Sequence, residues 1–383
     1  MTHPSSIVAK GLALVVLAAP LFARSSERVE RRVAAMGTLL VLDVGAPTRA
    51  EALRASEAAV RALARVEQRL STWSSESELA RLNAARVGEA FALSPELAAE
   101  LARARELWRA TGGAFDPGVG ALVRAWGLRE GGRKPSPDEL AGAFAAGGFG
   151  ALELGDGTAT RLRAGLVLEE GGFGKGVGLD AALAALRDAG ATDAVLDLGG
   201  QLAVLPGGGD QETAFAVAHP RARAQAVVEL RIGGGSLATS GNSERAIEVN
   251  GERRSHLIDP RTGEPAADFG SVTVWARDAT TADALSTALF VLGPDAGLEW
   301  AAAHAGVEAL YLVDADDGGL LAAGTAGLAG RAFALAEGLT LELAPAPELR
   351  SPPAPPAEAE TPHGGGLAFG STSCWMPPCT SPR

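Results

Sequence analysis

Cysteine is scarce in this chain of 383 residues. The two cysteines, Cys374 and Cys379, lie in a terminal stretch crowded with proline, alanine and glycine. A pair five residues apart in an exported protein is compatible with a small disulfide loop, whereas a metal site there would lack further ligands. We therefore expect residues 343–383 to be a flexible appendage rather than part of the folded domain.

Basic runs and long apolar runs are also missing. The 34 basic residues against 46 acidic ones give a net charge of −12, and no lysine or arginine cluster resembles the footprint of a nucleic-acid-binding protein. We expect no DNA or RNA partner. Hydrophobic residues make up 47% of the chain and charged residues 21%, which is enough to bury a substantial core in one large or two closely packed domains.

The first residues have the pattern of an export signal. Lys10 precedes the apolar run Gly11–Ala19, which is too short to span a bilayer comfortably, and Ala23 offers a small residue before the polar Arg24. A buried N-terminal helix is the alternative. No cysteine follows the run, so the sequence does not support lipid anchoring. We predict a signal peptide at residues 1–23 and an exported protein, in the periplasm or at the outer face of the cytoplasmic membrane.

Helical and extended patterns alternate along the remaining chain. Apolar spacing predicts helices at residues 49–70, Pro95–Thr111 and Ala181–Ala189. The predicted strands are more numerous: Leu39–Val44, Ala194–Leu198, Ala214–Ala218, Ala226–Ile232, Ala246–Val249, Val272–Ala276 and Ala309–Val313. The best internal boundary is the glycine-rich passage Gly131–Gly150. This mixed order predicts the α+β class.

Asp283 and Thr287 form the first candidate site. On a helix these residues are four positions apart, so a carboxylate and a hydroxyl project from one face as a pair of hard oxygens suited to Mg²⁺. The structural alternative is that Thr280 and Asp283 form a T-x-x-D capping pattern, in which Asp283 reaches back to its own helix N-terminus.

The glycine-rich segment Gly171–Gly176 is the second candidate. Glycines let backbone N–H groups approach an anion, and Lys175 adds a point charge. The alternative is a tight loop before a helix that starts near Val177. The chain has only three lysines against 31 arginines, which makes a lysine in this turn unusual. Together the two candidates predict a site for a metal and a diphosphate.

His256 is the best candidate for a base near neutral pH, with His219 second. The chain has only five histidines, and the turn signal Asp259–Gly263 would hold His256 at the end of an extended piece. A structurally hydrogen-bonded histidine is the alternative. Two further segments have structural interpretations when each is taken alone. The first, Thr111–Pro117, would be a helix end followed by a turn. The second, Ser71–Trp73, would be a packing tryptophan beside a capped helix.

Eight weak motifs nevertheless occur in one order. They are Met36–Thr38; Ser71–Trp73 with Ser77–Leu79 and Asn83; Gly112–Pro117 with Trp126 and Gly127; Gly171–Gly176 with Asp180; Asp197–Gly200; Thr239–Gly241; Ser255–Gly263; and Ala282–Ala288. From about residue 33 to about residue 340, this set resembles the ApbE family of FAD:protein FMN transferases. The resemblance implies a single large two-lobed α+β domain at residues 33–342, with mixed sheets, packed helices and a flavin site between the lobes.

The resemblance also implies an activity. Members of the family bind FAD and Mg²⁺, cleave the FAD pyrophosphate, attach FMN through a phosphoester to a threonine of an exported flavoprotein subunit, and release AMP. Two alternatives use the same site: an FAD pyrophosphatase, in which water replaces the threonine, and an FAD-binding protein without turnover.

The family pattern assigns roles to fifteen residues. The implied metal ligands are Asp283, Thr287, Ser286 and the carbonyl of Gly174, and the implied catalytic residues are Lys175 near the phosphates and His256 as base. The implied flavin contacts are Met36, Trp73, Ala114, Phe115, Asp116, Gly171, Val177, Leu257 and Ile258. Trp73 stands where tyrosine is usual and Gly174 where alanine is usual. The change at Gly174 keeps the backbone carbonyl that would bind the metal, whereas the change at Trp73 alters the ring that would stack on the ligand.

Overall fold

The computed structural model describes residues 26–344, apart from 243–246, 250–251 and 316–317. The predicted signal peptide, both cysteines and the predicted tail from residue 345 onward lie outside the described residues. No helix within the described part is long and apolar enough to cross a membrane.

The described residues form eight α-helices and seventeen strands. The helices are α1 Arg49–Leu70, α2 Glu78–Ala84, α3 Pro95–Ala110, α4 Gly120–Ala125, α5 Pro137–Ala145, α6 Gly174–Asp188, α7 Ala279–Leu292 and α8 Pro294–Ala302. The strands are β1 Glu27–Ala35, β2 Thr38–Ala46, β3 Ala90–Ala92, β4 Leu152–Leu154, β5 Thr158–Arg161, β6 Asp193–Leu198, β7 Gln201–Leu205, β8 Thr213–His219, β9 Ala222–Ile232, β10 Gly235–Gly241, β11 Ile247–Val249, β12 Glu252–Arg254, β13 Gly270–Ala276, β14 Val307–Asp314, β15 Leu320–Gly324, β16 Ala332–Ala334 and β17 Leu341–Leu343.

A nine-stranded sheet organises the molecule. Its order is β1-β2-β6-β7-β10-β13-β14-β15-β17, and every neighbouring pair is antiparallel except β15 with β17. Three smaller sheets, β16-β9-β8, β3-β5-β4 and β11-β12, accompany it. These mixed sheets and packed helices confirm the predicted α+β class.

Side chains that alternate along the strands give the large sheet two apolar faces. On β14, Ala309 and Tyr311 belong to the core beneath the helices, whereas Leu310 and Leu312 belong to the core shared with β8 and β9. On β6, Leu196 packs in the core with α1 and α6. The helices therefore cover one face, and the β8-β9-β16 sheet covers part of the other.

The predicted helices at 49–70 and Pro95–Thr111 match α1 and α3 closely, and every predicted strand coincides with an observed strand, although Ala246 lies outside the described residues. The third predicted helix was wrong at its start. It begins at Gly174 rather than Ala181, so Lys175 belongs to the first turn of α6 and not to a loop. The passage Gly131–Gly150, suggested as a boundary, contains α5.

Candidate functional site

One large cleft, of about 2800 Å³, contains most of the predicted site. Ten of the fifteen predicted residues line it: Met36, Trp73, Gly171, Gly174, Lys175, His256, Leu257, Asp283, Ser286 and Thr287. These residues come from five separate segments of the sequence. The fold therefore brings the two candidate motifs and the candidate base to the same cavity.

Asp283 links the two motifs directly. Lys175 Nζ donates to Asp283 Oδ1 at 2.9 Å, and the backbone N–H of Gly176 donates to Asp283 Oδ2 at 3.0 Å. The Asp283 side chain is only 4% exposed, whereas that of Lys175 is 33% exposed. The carboxylate thus completes the N-terminus of α6, whose preceding residue Phe173 provides no side-chain cap.

The capping alternative for Asp283 was therefore wrong. The side chain that caps α7 is Asp278, which accepts from the backbone N–H of Thr281 at 2.7 Å. Both Asp283 oxygens instead accept from the neighbouring helix α6. A carboxylate held in this way lies between helices, where a cleft-bound ligand can reach it.

Asp180, which sequence reasoning left without a role, forms the reciprocal contact. Its Oδ1 accepts from the backbone N–H of Ala279 at 2.7 Å, and its Oδ2 accepts from the N–H and hydroxyl of Thr280 at 2.9 and 2.6 Å. Burial raises the pKa of Asp180, and these donors oppose the rise. Each helix therefore supplies an aspartate to the N-terminus of the other.

Gly176 allows this close crossing. A Cβ on Gly176 would lie 2.3 Å from the carbonyl oxygen of Ala279 and 2.5 Å from Thr280 Cα, both of which are backbone atoms. Real Cβ atoms do not approach backbone so closely. Only glycine therefore lets α6 and α7 meet with their N-termini side by side.

The hydroxyls on α7 lie beside Asp283. Ser286 Oγ donates to the carbonyl of Asp283 at 2.9 Å and is 2.9 Å from Ser240 Oγ on β10. Thr287 is partly buried and lines the cleft one turn after Asp283. A side chain at Gly172 would come within 3.5 Å of Thr287 Oγ1, so the glycine keeps this hydroxyl accessible from the turn before α6.

Oxygens of this kind suit a hard cation. No group of three or more His, Cys, Asp or Glu side chains that could hold a metal occurs in the described residues. Mg²⁺ does not need one, because it is commonly held by one or two carboxylates together with water and substrate phosphate. Asp283 and the two hydroxyls therefore offer oxygens of the kind that Mg²⁺ takes together with a phosphate, and the backbone carbonyl of Gly174 stays a predicted ligand.

Five predicted contacts lie behind the cleft wall. Ala114, Phe115 and Val177 are buried in the core beneath the helices, and Ile258 is buried in a smaller cluster with Trp126. The ring of Phe115 would lie 3.3 Å from a Cβ at Gly172, which places it directly under the glycine-rich turn. In this structure these residues support the wall from within, and direct flavin contact by any of them stays a prediction.

Asp116 is the fifth of these residues. Its Oδ1 accepts from the backbone N–H groups of Gly118 at 2.6 Å and Phe149 at 2.9 Å. Burial raises the pKa of Asp116 to about 6, although these hydrogen bonds act in the opposite direction. Both partners are backbone N–H groups, so these hydrogen bonds stabilise the surrounding loop and involve no charged side chain.

His256 lies in the loop between β12 and β13, partly buried and facing the cleft. Ser255 Oγ accepts from the N–H of Leu257 at 3.0 Å and donates to Asn242 Oδ1 at 2.9 Å, which fixes the backbone on one side. The predicted turn follows, since the carbonyl of Asp259 accepts from the N–H of Gly263 at 2.7 Å. The backbone on both sides of His256 is therefore held in place by hydrogen bonds.

Met36 lies in the two-residue turn between β1 and β2. Met36 and Gly37 have φ angles of 49° and 70°, as a tight hairpin turn requires. Met36 is the one residue other than glycine with positive φ in the described part of the chain. Its sulfur would lie 2.9 Å from a Cβ at Gly178, so the side chain is packed on α6 as well as facing the cleft.

The comparisons with known proteins agree with this site. The family model described as "ApbE family" matches residues 36–311. The chain is 38% identical to the FAD:protein FMN transferase of Rhodobacter capsulatus over 257 residues, which are 64% of this chain but 47% of that protein. It is 32% identical to the FAD:protein FMN transferase of Vibrio cholerae over 264 residues, 67% of this chain and 79% of that one.

Solved structures show the same fold. The flavin transferase ApbE from Vibrio cholerae has a TM-score of 0.70 and 28% identity, covering 80% of this chain and 99% of its own. The ApbE protein from Thermotoga maritima has a TM-score of 0.68 and 28% identity, covering 77% and 96%. The family model matches residues 36–311, which is well over half of the chain. This chain therefore belongs to the ApbE family.

Proposed function

We propose that the protein is a Mg²⁺-dependent FAD:protein FMN transferase. It splits the pyrophosphate of FAD, attaches FMN to a threonine hydroxyl of an acceptor protein, and releases AMP. The observation that carries the proposal is the crossing of α6 and α7, where Lys175, Asp283 and Thr287 face one cleft. Membership of the ApbE family and the names of its relatives support the same activity.

The start of α6 is the pyrophosphate-binding element. Backbone N–H groups at a helix N-terminus attract anions, and Lys175 adds a full positive charge one residue into the helix. Lys175 is now paired with Asp283 but a third of its side chain is exposed, so it can turn toward a phosphate in the cleft. It neutralises negative charge on the phosphoryl oxygens while the P–O bond breaks.

The metal would be held by Asp283, Thr287, Ser286 and the carbonyl of Gly174. When bound, Mg²⁺ neutralises the charge that develops on the phosphoryl and leaving oxygens. Asp180 and Gly176 keep α7 against α6, which fixes Asp283 relative to Lys175. Position and charge are the main contributions that a protein makes to phosphoryl transfer.

The acceptor threonine is the nucleophile. Its oxygen forms a bond to the FMN phosphorus, and the bond from that phosphorus to the bridging oxygen breaks, so that AMP leaves with the bridging oxygen. His256 takes the proton of the threonine hydroxyl as general base. At about 2800 Å³ the cleft is larger than the 300–1,000 Å³ typical of small-ligand sites, which leaves space for an acceptor segment beside FAD.

The acceptor is an exported flavoprotein, and transfer takes place outside the cytoplasmic membrane. This part of the proposal rests on the export signal predicted at residues 1–23 and on the resemblance to the family. Fusion of residues 1–30 to a reporter enzyme that is active only after export tests it directly. Activity from the fusion supports export, and a reporter confined to the cytoplasm contradicts it.

Intact-mass spectrometry of an acceptor domain tests the proposed reaction. The acceptor is incubated with the protein, FAD and Mg²⁺, beside reactions without metal, without enzyme, or with the acceptor threonine replaced by valine. We expect the acceptor to gain the mass of one FMN only when metal, enzyme and the acceptor threonine are all present, with one AMP released per acceptor. An unmodified acceptor with FAD split to FMN and AMP would instead identify a pyrophosphatase, and intact FAD would identify a binding protein.

A further inference from the structure

Trp73 is held in an unusual way for an exposed aromatic residue. Its side chain is 74% exposed, the largest fraction among the exposed large hydrophobic residues that the structure describes, and it lines the cleft. An indole that is exposed by chance is free to change rotamer. Contact with a neighbouring arginine restricts this freedom for Trp73.

Arg129 covers the indole on one side. Its guanidinium carbon lies 4.4 Å from the centroid of the Trp73 ring, which is the geometry of a cation–π contact. Arg129 itself does not line the cleft. Trp73 lines the cleft and Arg129 does not, so the contact with Arg129 leaves part of the indole facing the cavity.

The guanidinium is fixed by several acceptors. Arg129 Nη2 donates to Thr72 Oγ1 at 2.6 Å and to Glu169 Oε2, and Nη1 donates to the carbonyl of Thr72 at 3.4 Å. A planar guanidinium can satisfy these acceptors and stack on a ring at the same time, which the single ammonium of a lysine cannot do. The stack is thus built from a fixed arginine and not from two mobile side chains.

The same network reaches the phosphate-binding helix. Glu170 accepts from the N–H of Thr72 at 3.2 Å and from its hydroxyl at 2.5 Å. The carbonyl of Glu170 accepts from the N–H of Gly174 at 2.7 Å, where α6 begins. Thr72, the residue before Trp73, is therefore connected to the start of α6 through Glu170.

We propose that Arg129 is a positioning residue that holds Trp73 as a platform for a planar heteroaromatic ring of the bound dinucleotide. The identity of the ligand rests on the proposed function. Arg129 acts through Trp73: it fixes the indole before the ligand arrives, so that less side-chain freedom is lost on binding. Either ring of FAD has the chemistry to stack there, and separate probes distinguish them.

A double-mutant cycle on ring binding tests this. The probes are riboflavin, which has the isoalloxazine ring without phosphate, and adenosine. We expect Arg129→Met, Arg129→Lys and Trp73→Leu each to weaken binding of one of the two probes by about three- to tenfold. Arg129→Met added to Trp73→Leu should cost little more, because both act on one contact. Arg133→Met, which removes a comparable arginine paired with Glu139 outside the cleft, should change nothing.

The emission of bound riboflavin gives a second readout. An indole stacked on the isoalloxazine ring quenches its fluorescence, so Arg129→Met should leave bound riboflavin brighter than in the unmodified protein if that ring is the one on Trp73. Adenosine binding that weakens while riboflavin binding does not would assign the platform to the adenine ring. If Arg129→Met does not fold, as judged by its thermal transition, Arg129→Lys carries the test.

Two results would overturn the inference: unchanged affinity for both probes in the Arg129 variants, or full additivity of Arg129→Met and Trp73→Leu. The FMN-transfer assay separates this failure from failure of the proposed function. A protein that transfers FMN yet shows no effect of Arg129 on either ring retains its function and refutes only the role of Arg129. Absence of transfer together with a non-additive ring effect refutes only the proposed function.

Discussion

Asp283 accepts from a lysine ammonium on one oxygen and from a backbone N–H on the other. A metal ion bound at this carboxylate competes with Lys175 for the same oxygen. When a pyrophosphate is present, the lysine has a second negative partner in the same cleft. We therefore expect the binding of metal and the binding of pyrophosphate to be coupled through the side chain of Lys175.

Lys175→Met tests that coupling. Without FAD or ADP, we expect Mn²⁺, used as a probe for Mg²⁺, to bind the variant about two- to fivefold more tightly, because a competing cation in a partly exposed ion pair has been removed. With ADP present the gain should disappear, since the lysine then no longer competes. Titration followed by the paramagnetic resonance of free Mn²⁺ measures both. Lys134→Met is the matched control, and a weaker Mn²⁺ affinity of Lys175→Met without ADP would refute the competition.

His256→Ala separates catalysis from binding. If His256 takes the proton of the acceptor threonine, its loss should slow FMN transfer by about 10² to 10⁴-fold while the dissociation constant of FAD changes by less than about twofold. Single-turnover transfer and FAD titration measure the two quantities. A collapse of FAD affinity with a normal transfer rate at saturation would make His256 a binding residue.

At the scale of elements, the site depends on how α6 and α7 cross. Asp180 of α6 accepts from the N-terminus of α7, and Asp283 of α7 accepts from the N-terminus of α6. Three of the N–H groups in these first turns, those of Gly176, Ala279 and Thr280, are thus satisfied by the other helix. A change that separates the two helices should disturb both N-termini and the metal site together.

Gly176→Ala introduces a methyl group at the closest point of this crossing. The clash with the backbone of Ala279 and Thr280 is expected to lower the free energy of unfolding by about 1–3 kcal/mol. Mn²⁺ affinity should fall as well. Gly142→Ala is the control: the residue lies inside α5, the added Cβ would have no atom within 4 Å apart from its chain neighbours and the nearby backbone of its own helix, and the change should raise stability by about 0.5–1 kcal/mol. Urea unfolding measures the free energy of unfolding of both variants. Equal changes in that free energy for Gly176→Ala and Gly142→Ala would contradict the close crossing.

The sequence predicted elements well where the pattern was long and regular. Residues 49–70 and Pro95–Thr111 have helical apolar spacing and serine or threonine caps, and both helices are observed. The start of α6 was missed because glycines at Gly174, Gly176 and Gly178 weaken the local helical signal. Its first turn is stabilised by Asp283, more than a hundred residues away, and no local pattern reports such a contact.

At the scale of the whole molecule, motif order was more informative than any single motif. It predicted ten residues that the fold gathers in one cleft, and the ApbE family itself. It included Asp180 without giving it a role and left out Arg129, because the roles of both consist of contacts with other elements. Phe115, predicted as a flavin contact, is buried in the core beneath the turn, and its contact with the flavin stays a prediction.

Asp116 should make the stability of the whole domain depend on pH. Its folded pKa, about 6, lies above its ordinary value, so the folded state binds more protons than the unfolded state between about pH 4 and pH 6. Its contribution to stability is therefore present below pH 4 and is lost as the pH rises through 6. Asp116→Asn should remove this part of the pH dependence, which unfolding curves at pH 4 and pH 7 measure. An identical pH dependence in the variant would show that Asp116 titrates normally.

The central claim is that the crossing of α6 and α7 holds a metal against a pyrophosphate. Anomalous diffraction from crystals soaked with Mn²⁺ and ADP tests it most directly, with Asp283→Ala crystals as the control. We expect an anomalous peak in contact with Asp283 and Thr287, a phosphate of ADP beside the start of α6, and no peak in the Asp283→Ala crystals. A metal bound elsewhere, or a peak that persists without the Asp283 carboxylate, would contradict the account.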